Sequence, residues 1–331
     1  MIARLDLAAI NDLREALPRL THVPLAHLPQ LDIERRRAYW LDEISRSLTD
    51  ESSIAFAWVG SGRIDGFIIY ADSPWDSRII GQRMGTVKHL AVASDDPAGV
   101  EILRALTNDL MQSLAERGTQ CVVCRVQSGE LASIHALEQS GFLLMDTLLD
   151  FVFAFPTTGP EQINFRPLPD KRVRIHRATP QDLHALMAMN ERAFANYFGR
   201  YHADPRISAG AATKIYSEWM RSAFDGWADW ILVGEMDGKI AGSGLWRLAL
   251  PAETENSPGV AYCDMVVVDP EFQGSGLGTA LMSHGMGIAR DVAQYLVGPV
   301  HVCNYSIQRT LQKVGYKIFG VRHSFHKWLR D

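Results

Sequence analysis

Residues 266–282 read VVVDPEFQGSGLGTALM, and this stretch decides the fold of the second half of the chain. The valines indicate a β-strand, and Pro270 ends it because proline has no backbone N–H to donate to a ladder. Glycines at 274, 276 and 278 predict a tight turn, and a helical run follows. A strand, a glycine-rich turn and a helix in this order predict an anion site, because the first N–H groups of a helix point at phosphate oxygens.

The spacing of these glycines argues against two common nucleotide motifs. They are spaced G-x-G-x-G, whereas a dinucleotide-binding turn reads G-x-G-x-x-G. Gly278 is followed by Thr279-Ala280, whereas a Walker loop would continue with lysine and serine or threonine. A turn that binds nothing is the alternative. Three glycines lose chain entropy that a plain turn would not need to lose, so we favour the anion site.

The length and the order of patterns predict two similar domains. At about 150 residues per domain, 331 residues suggest two. The most loop-like stretch in mid-chain runs from 156 to 171 and contains four prolines. We therefore predict domains at 1–155 and 173–331, joined by a linker at 156–172. Both halves repeat one order of helices, a hairpin and strands, so the fold class is α/β, with two domains that each have a bent mixed sheet flanked by helices.

Composition excludes several classes of function. The chain is 47% apolar with a net charge of −5, which argues against a general nucleic-acid binder and against a polybasic membrane binder. We find neither a secretory signal nor an apolar run of 18 residues, so we expect a cytoplasmic protein with reduced thiols. Cys121 and Cys124 occupy a strand pattern in which their side chains point to opposite faces, and Cys263 and Cys303 also lie in strand patterns. We therefore expect no metal site.

The glycine-rich segment resembles the acetyl-CoA signature of the GNAT superfamily of N-acetyltransferases. That signature, Q/R-x-x-G-x-G/A after a bent strand, is matched by residues 273–278. A second family element is a strand ending in asparagine, then a helix, then Gly-Phe/Tyr. It is matched by Asn304 and by Gly315-Tyr316. The resemblance covers most of 173–331 and, in outline, 1–155.

This resemblance implies acetyl-CoA as co-substrate, without a metal and without a covalent enzyme intermediate. The open edge of the strand would pair with the pantetheine amides, and an N–H near Val266 or Val267 would polarise the thioester carbonyl. The coenzyme site implied in this way consists of Met265, Val266, Val267, Val268, Gln273, Gly274, Ser275, Gly276, Leu277, Gly278, Thr279, Asn304 and Ile307.

Direct attack on a thioester requires a neutral amine, so a base or a water chain must remove a proton. Tyr262, Asp264, Val266 and Val268 alternate along the strand and are expected on one face. Relatives often place a base here, so Asp264 is the first candidate, with Tyr262 orienting a water. The alternative is that Asp264 only hydrogen-bonds a neighbouring loop. His301 is a second candidate base, although a structural role suits a lone histidine better.

The general acid is a departure from the family pattern. Relatives usually place a tyrosine seven residues after the asparagine, where it protonates the leaving thiolate, and this position is Leu311 here. Tyr305, Tyr316 or water takes that role, or no general acid is needed.

The first half does not carry a comparable glycine turn. Its central strand leads into Asp95 and Asp96, with a single glycine at 99, and Glu130 occupies the place of the asparagine. Carboxylates there would repel a pyrophosphate. We therefore expect a degenerate copy that does not bind acetyl-CoA.

Two stretches, 131–151 and 200–224, resemble the dTDP-fucosamine acetyltransferases and related nucleotide-aminosugar enzymes, which implies a sugar amine as acceptor. Tyr201, Tyr216 and Trp219 are candidates to stack on the acceptor, with helix core as the alternative. Other readings are a mycothiol-synthase-like enzyme, a small-amine or protein N-terminal acetyltransferase, and a non-catalytic acyl-CoA sensor. The partner expected is a small-molecule amine, with no nucleic acid or membrane, and a homodimer is left open.

Overall fold

A computed structural model describes residues 1–28, 30–156 and 172–329. The chain divides into two compact units, the first made of Met1–Thr147 with Val321–Asp331 and the second of Leu148–Gly320. Within the described residues, every helix is too short or too polar to span a lipid bilayer.

The elements follow the mixed α/β order that the sequence predicts. Up to residue 154 they are β1 (Ile2–Arg4), α1 (Ile10–Ala16), α2 (Ile33–Thr49), β2 (Ile54–Gly60), β3 (Arg63–Asp72), α3 (Pro74–Ile80), β4 (Met84–Val92), α4 (Pro97–Glu116), β5 (Cys121–Gln127), α5 (Leu131–Gln139) and β6 (Leu143–Ala154). From residue 173 they are β7 (Val173–Arg177), α6 (Leu183–Phe194), α7 (Arg200–Ala203), α8 (Ala209–Ser222), β8 (Trp230–Met236), β9 (Lys239–Leu248), β10 (Val260–Val268), α9 (Leu277–Ala289), β11 (Tyr295–His301), α10 (Tyr305–Lys313) and β12 (Lys317–Trp328).

The strands β6 and β12 each contribute to both units, and the predicted limits did not anticipate this. Residues 148–154 of β6 pair with β11, and residues 322–328 of β12 pair with β5. The second unit therefore begins at Leu148, and the first includes β12 from Val321 onward. Strand pairing joins residues that are distant in sequence, so local composition does not reveal it. The predicted linker at 156–172 lies, apart from its two end residues, outside the described residues.

In the first unit the strands lie in the order β1-β2-β3-β4-β5-β12, and only the β4–β5 pair is parallel. Helices α4 and α5 cover one face with an apolar cluster, and α1 and α2 cover the other. The predicted opposite orientation of the two strand cysteines is confirmed, since Cys124 packs in the α4 cluster and Cys121 packs beside Met84 and Val123.

The second unit has the strand order β6-β11-β10-β9-β8-β7. Its hairpin between β8 and β9 turns at Asp237 and Gly238, both at positive φ, as the Asp-Gly pair predicts. Helix α9 packs on one face beside Ala261, and α6 and α8 pack on the other beside Met265. Helices thus flank a mixed sheet.

Strands β10 and β11 diverge after a short parallel stretch. They pair only from Val260 to Tyr262, whereas β10 stays paired with β9 as far as Val268. One edge of β10 is therefore not paired with β11 beyond Tyr262, as the resemblance implies.

A β-bulge interrupts β10 between Cys263 and Met265. Before the bulge Cys263 packs on the α9 side, but beyond it Met265 packs with α6 and α8, and Val266 packs on the α9 side. The expectation that Tyr262, Asp264, Val266 and Val268 share one face is therefore wrong. The extra residue of a bulge shifts the alternation of side chains by one position, and nothing in the sequence signals it.

Candidate active site

The glycine-rich turn joins the end of β10 to the first turn of α9. The carboxylate of Asp269, just past β10, accepts hydrogen bonds from Arg192 on α6 at 2.5 and 3.2 Å, and its other oxygen accepts from the N–H of Glu271. Gly274 and Gly276 then have φ of +82° and +86°, values that favour glycine, and Gly276 is the N-cap of α9. The ion pair and the glycines together fix the start of α9 beside the end of the strand.

This turn leaves backbone donors available. The N–H of Leu277 bonds Ser275 Oγ at 3.4 Å. Among the described residues, the N–H groups of Gly274, Gly276, Gly278 and Thr279 have no hydrogen-bond acceptor. N–H groups converging at a helix start favour an anion, both through hydrogen bonds and through the helix dipole.

A cavity of about 510 Å³ opens onto these donors. Most of the predicted coenzyme residues line it: Val266, Val267, Val268, Gln273, Gly274, Gly276, Leu277, Gly278, Thr279, Asn304 and Ile307. Met265 and Ser275 are not part of the lining, because Met265 packs against α6 and α8 and the Ser275 hydroxyl turns back to Leu277. Asn304 also caps α10, its Oδ1 accepting from the N–H of Ile307 at 3.4 Å.

Sequence reasoning missed several lining residues. Arg309 and Lys313 on α10 bring positive charge to the cavity, and Phe194, Asn196 and Tyr197 approach it from the end of α6. The sequence did offer a signal for the two basic residues. Arg309 and Lys313 are four residues apart in the helix that follows Asn304, and this spacing places both side chains on one side of α10. Phe194 and Tyr197 begin an aromatic-rich stretch of the sequence, but only tertiary packing brings residues 194–197 to the cavity.

The candidate base Asp264 lies beside a guanidinium. Its carboxylate is buried, and Oδ2 is 2.9 Å from Nε of Arg247. The same guanidinium lies over the ring of Tyr262 at 4.5 Å and over the ring of Trp227 at 5.4 Å. Neither Asp264 nor Tyr262 is among the residues that line the cavity. The two candidates thus form a group with Arg247 on the α8 side of the sheet.

His301 ends β11 and is buried. Its Nδ1 accepts a hydrogen bond from the N–H of Cys303 at 3.1 Å, and its ring meets Phe198 edge-on at 5.9 Å. A neutral imidazole that accepts at Nδ1 carries its proton on Nε2. The backbone contact at Nδ1 and the packing against Phe198 suit a structural role. Cys303 itself lies in an exposed turn after β11, so the prediction of a strand there is wrong.

Neither candidate general acid, Tyr305 or Tyr316, lines the cavity. Leu311 and Tyr316 are both buried in the core beneath α9, and burial raises the pKa of Tyr316 well above its ordinary value. Tyr305 is 62% exposed and, like Tyr316, is not among the lining residues.

The predicted acceptor residues belong to an aromatic cluster around α8. Tyr216 is buried and stacks on Phe194 with centroids 4.1 Å apart, and Trp219 meets Trp227 edge-on at 5.4 Å. Tyr201 is buried, and the guanidinium of Arg200 lies over its ring. None of the three predicted residues lines the cavity. The ring of Trp227, 39% exposed, sits at the end of this cluster beside Arg247.

The equivalent place in the first unit carries acidic groups. Asp95 pairs with His22 at 2.7 Å, and burial raises the pKa of Glu130 to about 7. Glu130 precedes α5 with backbone angles close to those of Asn304 before α10. The single glycine there serves packing, because a Cβ on Gly99 would lie 1.8 Å from the carbonyl oxygen of Ser94.

Comparison with known proteins places this site in a family. Residues 193–316 match the model described as "Acetyltransferase (GNAT) family". Within the second unit, residues 193–316 are therefore similar to a GNAT acetyltransferase domain. The matched segment includes β10, the glycine turn, α9, β11 and α10, and it holds all of the residues that line the cavity.

Individual relatives extend the likeness beyond the GNAT domain. The spore coat polysaccharide biosynthesis protein SpsD of Bacillus subtilis (strain 168) is 23% identical over 227 residues, which is 68% of this chain and 70% of SpsD. A tandem GNAT protein from the clavulanic acid biosynthesis pathway superposes with a TM-score of 0.62 at 14% identity, over 100% of this chain and 99% of its own. A GCN5-related N-acetyltransferase from Sphaerobacter thermophilus gives 0.64 at 15% identity, over 100% and 96%. The fold is thus that of tandem GNAT proteins.

Proposed function

We propose that the second unit binds acetyl-CoA and transfers its acetyl group to a primary amine. The observation that carries this proposal is the set of N–H groups without acceptors at the start of α9, which opens onto the 510 Å³ cavity. These donors suit a pyrophosphate, and Arg309 and Lys313 add charge for phosphate oxygens. The edge of β10 that diverges from β11 would pair with the pantetheine amides.

The chain's own groups would then promote direct attack by the amine. Acetyl-CoA supplies an activated thioester, and a backbone N–H near Val266 or Val267 stabilises the developing oxyanion. We keep Asp264 as the candidate to accept the amine's proton through a water, with Tyr262 orienting that water. Arg247 compensates the charge of this carboxylate through Nε, and the other N–H groups of its guanidinium suit the recognition of an anionic acceptor.

For the acceptor we propose a nucleotide-linked aminosugar. SpsD is described as a polysaccharide biosynthesis protein, which agrees with sugar chemistry in a relative. Trp227 and Arg247 offer a ring face and a guanidinium beside β10, the features that a sugar or base bearing phosphate would use. The partly exposed Trp219 beside Trp227 extends this surface.

Thiol release with an acceptor panel tests the proposal. The protein is incubated with acetyl-CoA and, separately, with nucleotide aminosugars, glucosamine, polyamines, an aminosugar thiol precursor and peptides with free N-termini. We expect stoichiometric free CoA and an acetylated nucleotide aminosugar by mass spectrometry. Acetylation of another class alone would favour a mycothiol-synthase-like, small-amine or N-terminal acetyltransferase. Tight binding of acetyl-CoA with no acetylated product would favour an acyl-CoA sensor and contradict turnover.

A further inference from the structure

The predicted positions for a general acid do not supply a proton donor to the cavity. Leu311 has no titratable group, Tyr316 is buried in the core, and Tyr305 faces solvent. Among the described residues that line the cavity, Tyr197 is the one phenol. Tyr197 lies in the segment between α6 and α7. The family resemblance instead leads us to expect the acid on α10, at the position of Leu311.

Packing fixes the ring of Tyr197 in place. It meets Phe194 edge-on at 5.2 Å and Tyr216 edge-on at 5.2 Å. Gly199 leaves room for it, since a Cβ there would lie 3.0 Å from Cε1 of Tyr197. Aromatic rings held on two sides lose little further freedom when the hydroxyl engages a ligand.

Tyr197 lines the same cavity as Val266, Val267 and Val268, the last residues of β10. Phe194, which contacts Tyr197, packs against the cluster that contains Met265 and Val267. Lys313 is the other cavity residue that could protonate a thiolate, and it is the last residue of α10. It lies nine residues after Asn304, which corresponds to roughly 13 Å along the helix axis. Tyr197 thus shares the cavity with the β10 residues at which the thioester is proposed to lie, whereas the ammonium of Lys313 suits a phosphate.

We propose that Tyr197 is the general acid that protonates the departing CoA thiolate. As the C–S bond breaks, the electron pair goes to sulfur, the phenolic O–H bond breaks and an S–H bond forms. The phenolate then regains its proton from solvent. This assignment rests on the proposed acetyl transfer, and it identifies an acid on a different element from the helix that carries Leu311.

Binding of CoA and desulfo-CoA tests this assignment without turnover. Both ligands are titrated calorimetrically at pH 8.5 into the wild-type protein, Tyr197→Phe and Lys313→Gln. A hydroxyl that bonds the thiolate gives the wild type about a tenfold preference for CoA over desulfo-CoA. We expect Tyr197→Phe to lose most of that preference, and Lys313→Gln to weaken both ligands equally. The Phe ring preserves the packing with Phe194 and Tyr216, so the fold is retained.

Turnover with the acceptor found by the panel gives a second readout. We expect Tyr197→Phe to lower kcat about 100-fold, with little change in KM for acetyl-CoA, while Tyr305→Phe stays near wild type. An unchanged CoA preference in Tyr197→Phe, or no preference in the wild type, would overturn the assignment while leaving acetyl transfer standing. Failure of the wild-type protein to bind either ligand would overturn the proposed function itself.

Discussion

Two glycines of helix α9 differ in what surrounds them. Gly278 lines the cavity, and a Cβ there would have only an ordinary 3.5 Å contact with Val268 Cγ2. Gly287 lies further along the same helix, and a Cβ there would meet nothing within 4 Å. Gly276 is less suited to a test, because φ of +86° would strain any other residue whether or not a ligand binds.

We expect Gly278→Ala to weaken CoA binding at least tenfold, because the methyl group narrows the approach of the pyrophosphate to the N–H groups. Gly287→Ala is the matched control and should bind CoA like the wild type. Both changes favour the helix by up to about 1 kcal/mol, so neither should lower the melting temperature. Calorimetric titration with CoA and thermal unfolding provide the two measurements. Equal affinities in the two variants would contradict the assignment of the turn.

At the scale of single elements, α10 carries the cavity's positive charge at Arg309 and Lys313. We expect Arg309→Gln and Lys313→Gln each to raise the Kd for CoA about five- to tenfold at low salt. The increase in Kd should be smaller at high salt, because salt already screens the interaction in the wild-type protein. Lys239→Gln, on the exposed start of β9, is the control. A salt dependence that is the same in all four proteins would contradict a phosphate-binding role for α10.

A partly buried histidine, His89, links β4 to α2 in the first unit. Trp40 Nε1 donates to His89 Nδ1 at 3.1 Å, and Ser47 Oγ lies 3.1 Å from Nε2. Burial lowers the pKa of His89 from 6.5 to about 4. The unfolded chain therefore binds a proton here before the folded chain does, so this contribution to stability is present above pH 6.5 and declines as the pH falls toward 4.

We expect the wild type to lose about 2 kcal/mol of unfolding free energy at this residue between pH 7.5 and pH 5. Urea unfolding at the two pH values, compared with His89→Gln, isolates the effect, since Glu130 and other groups titrate in both proteins. A loss as large in His89→Gln as in the wild type would show that another group is responsible.

Local sequence predicted those elements whose features are local. The hairpin at Asp237-Gly238, the proline stop after β10 and the glycine turn each follow from backbone conformations that specific residues favour. The bulge at Asp264 was not predictable, because it is a register shift against β9. The approach of Tyr197 to the cavity depends on how α6 packs, which periodicity alone does not determine.

Across the whole molecule, both units have a central strand that separates from its parallel neighbour, but only the second has the glycine turn. In the first unit β4 pairs with β5 from Met84 to Val87 and no further. The loop after β4 carries Asp95 and Asp96, and the side chain of Asp96 already accepts from the N–H of Gly99, the third residue after it. The N–H of Gly99 is thus occupied, and the carboxylates of this loop would repel a phosphate.

We therefore expect one CoA per chain. Calorimetric titration of the full chain should give about one CoA bound per chain. Gly278→Ala should weaken all of the CoA binding that the titration detects, because no second site in the first unit would remain at full affinity. The test uses Gly278 in the second unit, because a substitution at Gly99 would press a side chain into the Ser94 carbonyl and disturb the first unit for reasons unrelated to a ligand. Two sites per chain, or a full-strength site that survives in Gly278→Ala, would mean that the first unit also binds coenzyme. Asp95 and the ionised form of Glu130 make that outcome electrostatically unfavourable, since negative charge there would repel a pyrophosphate.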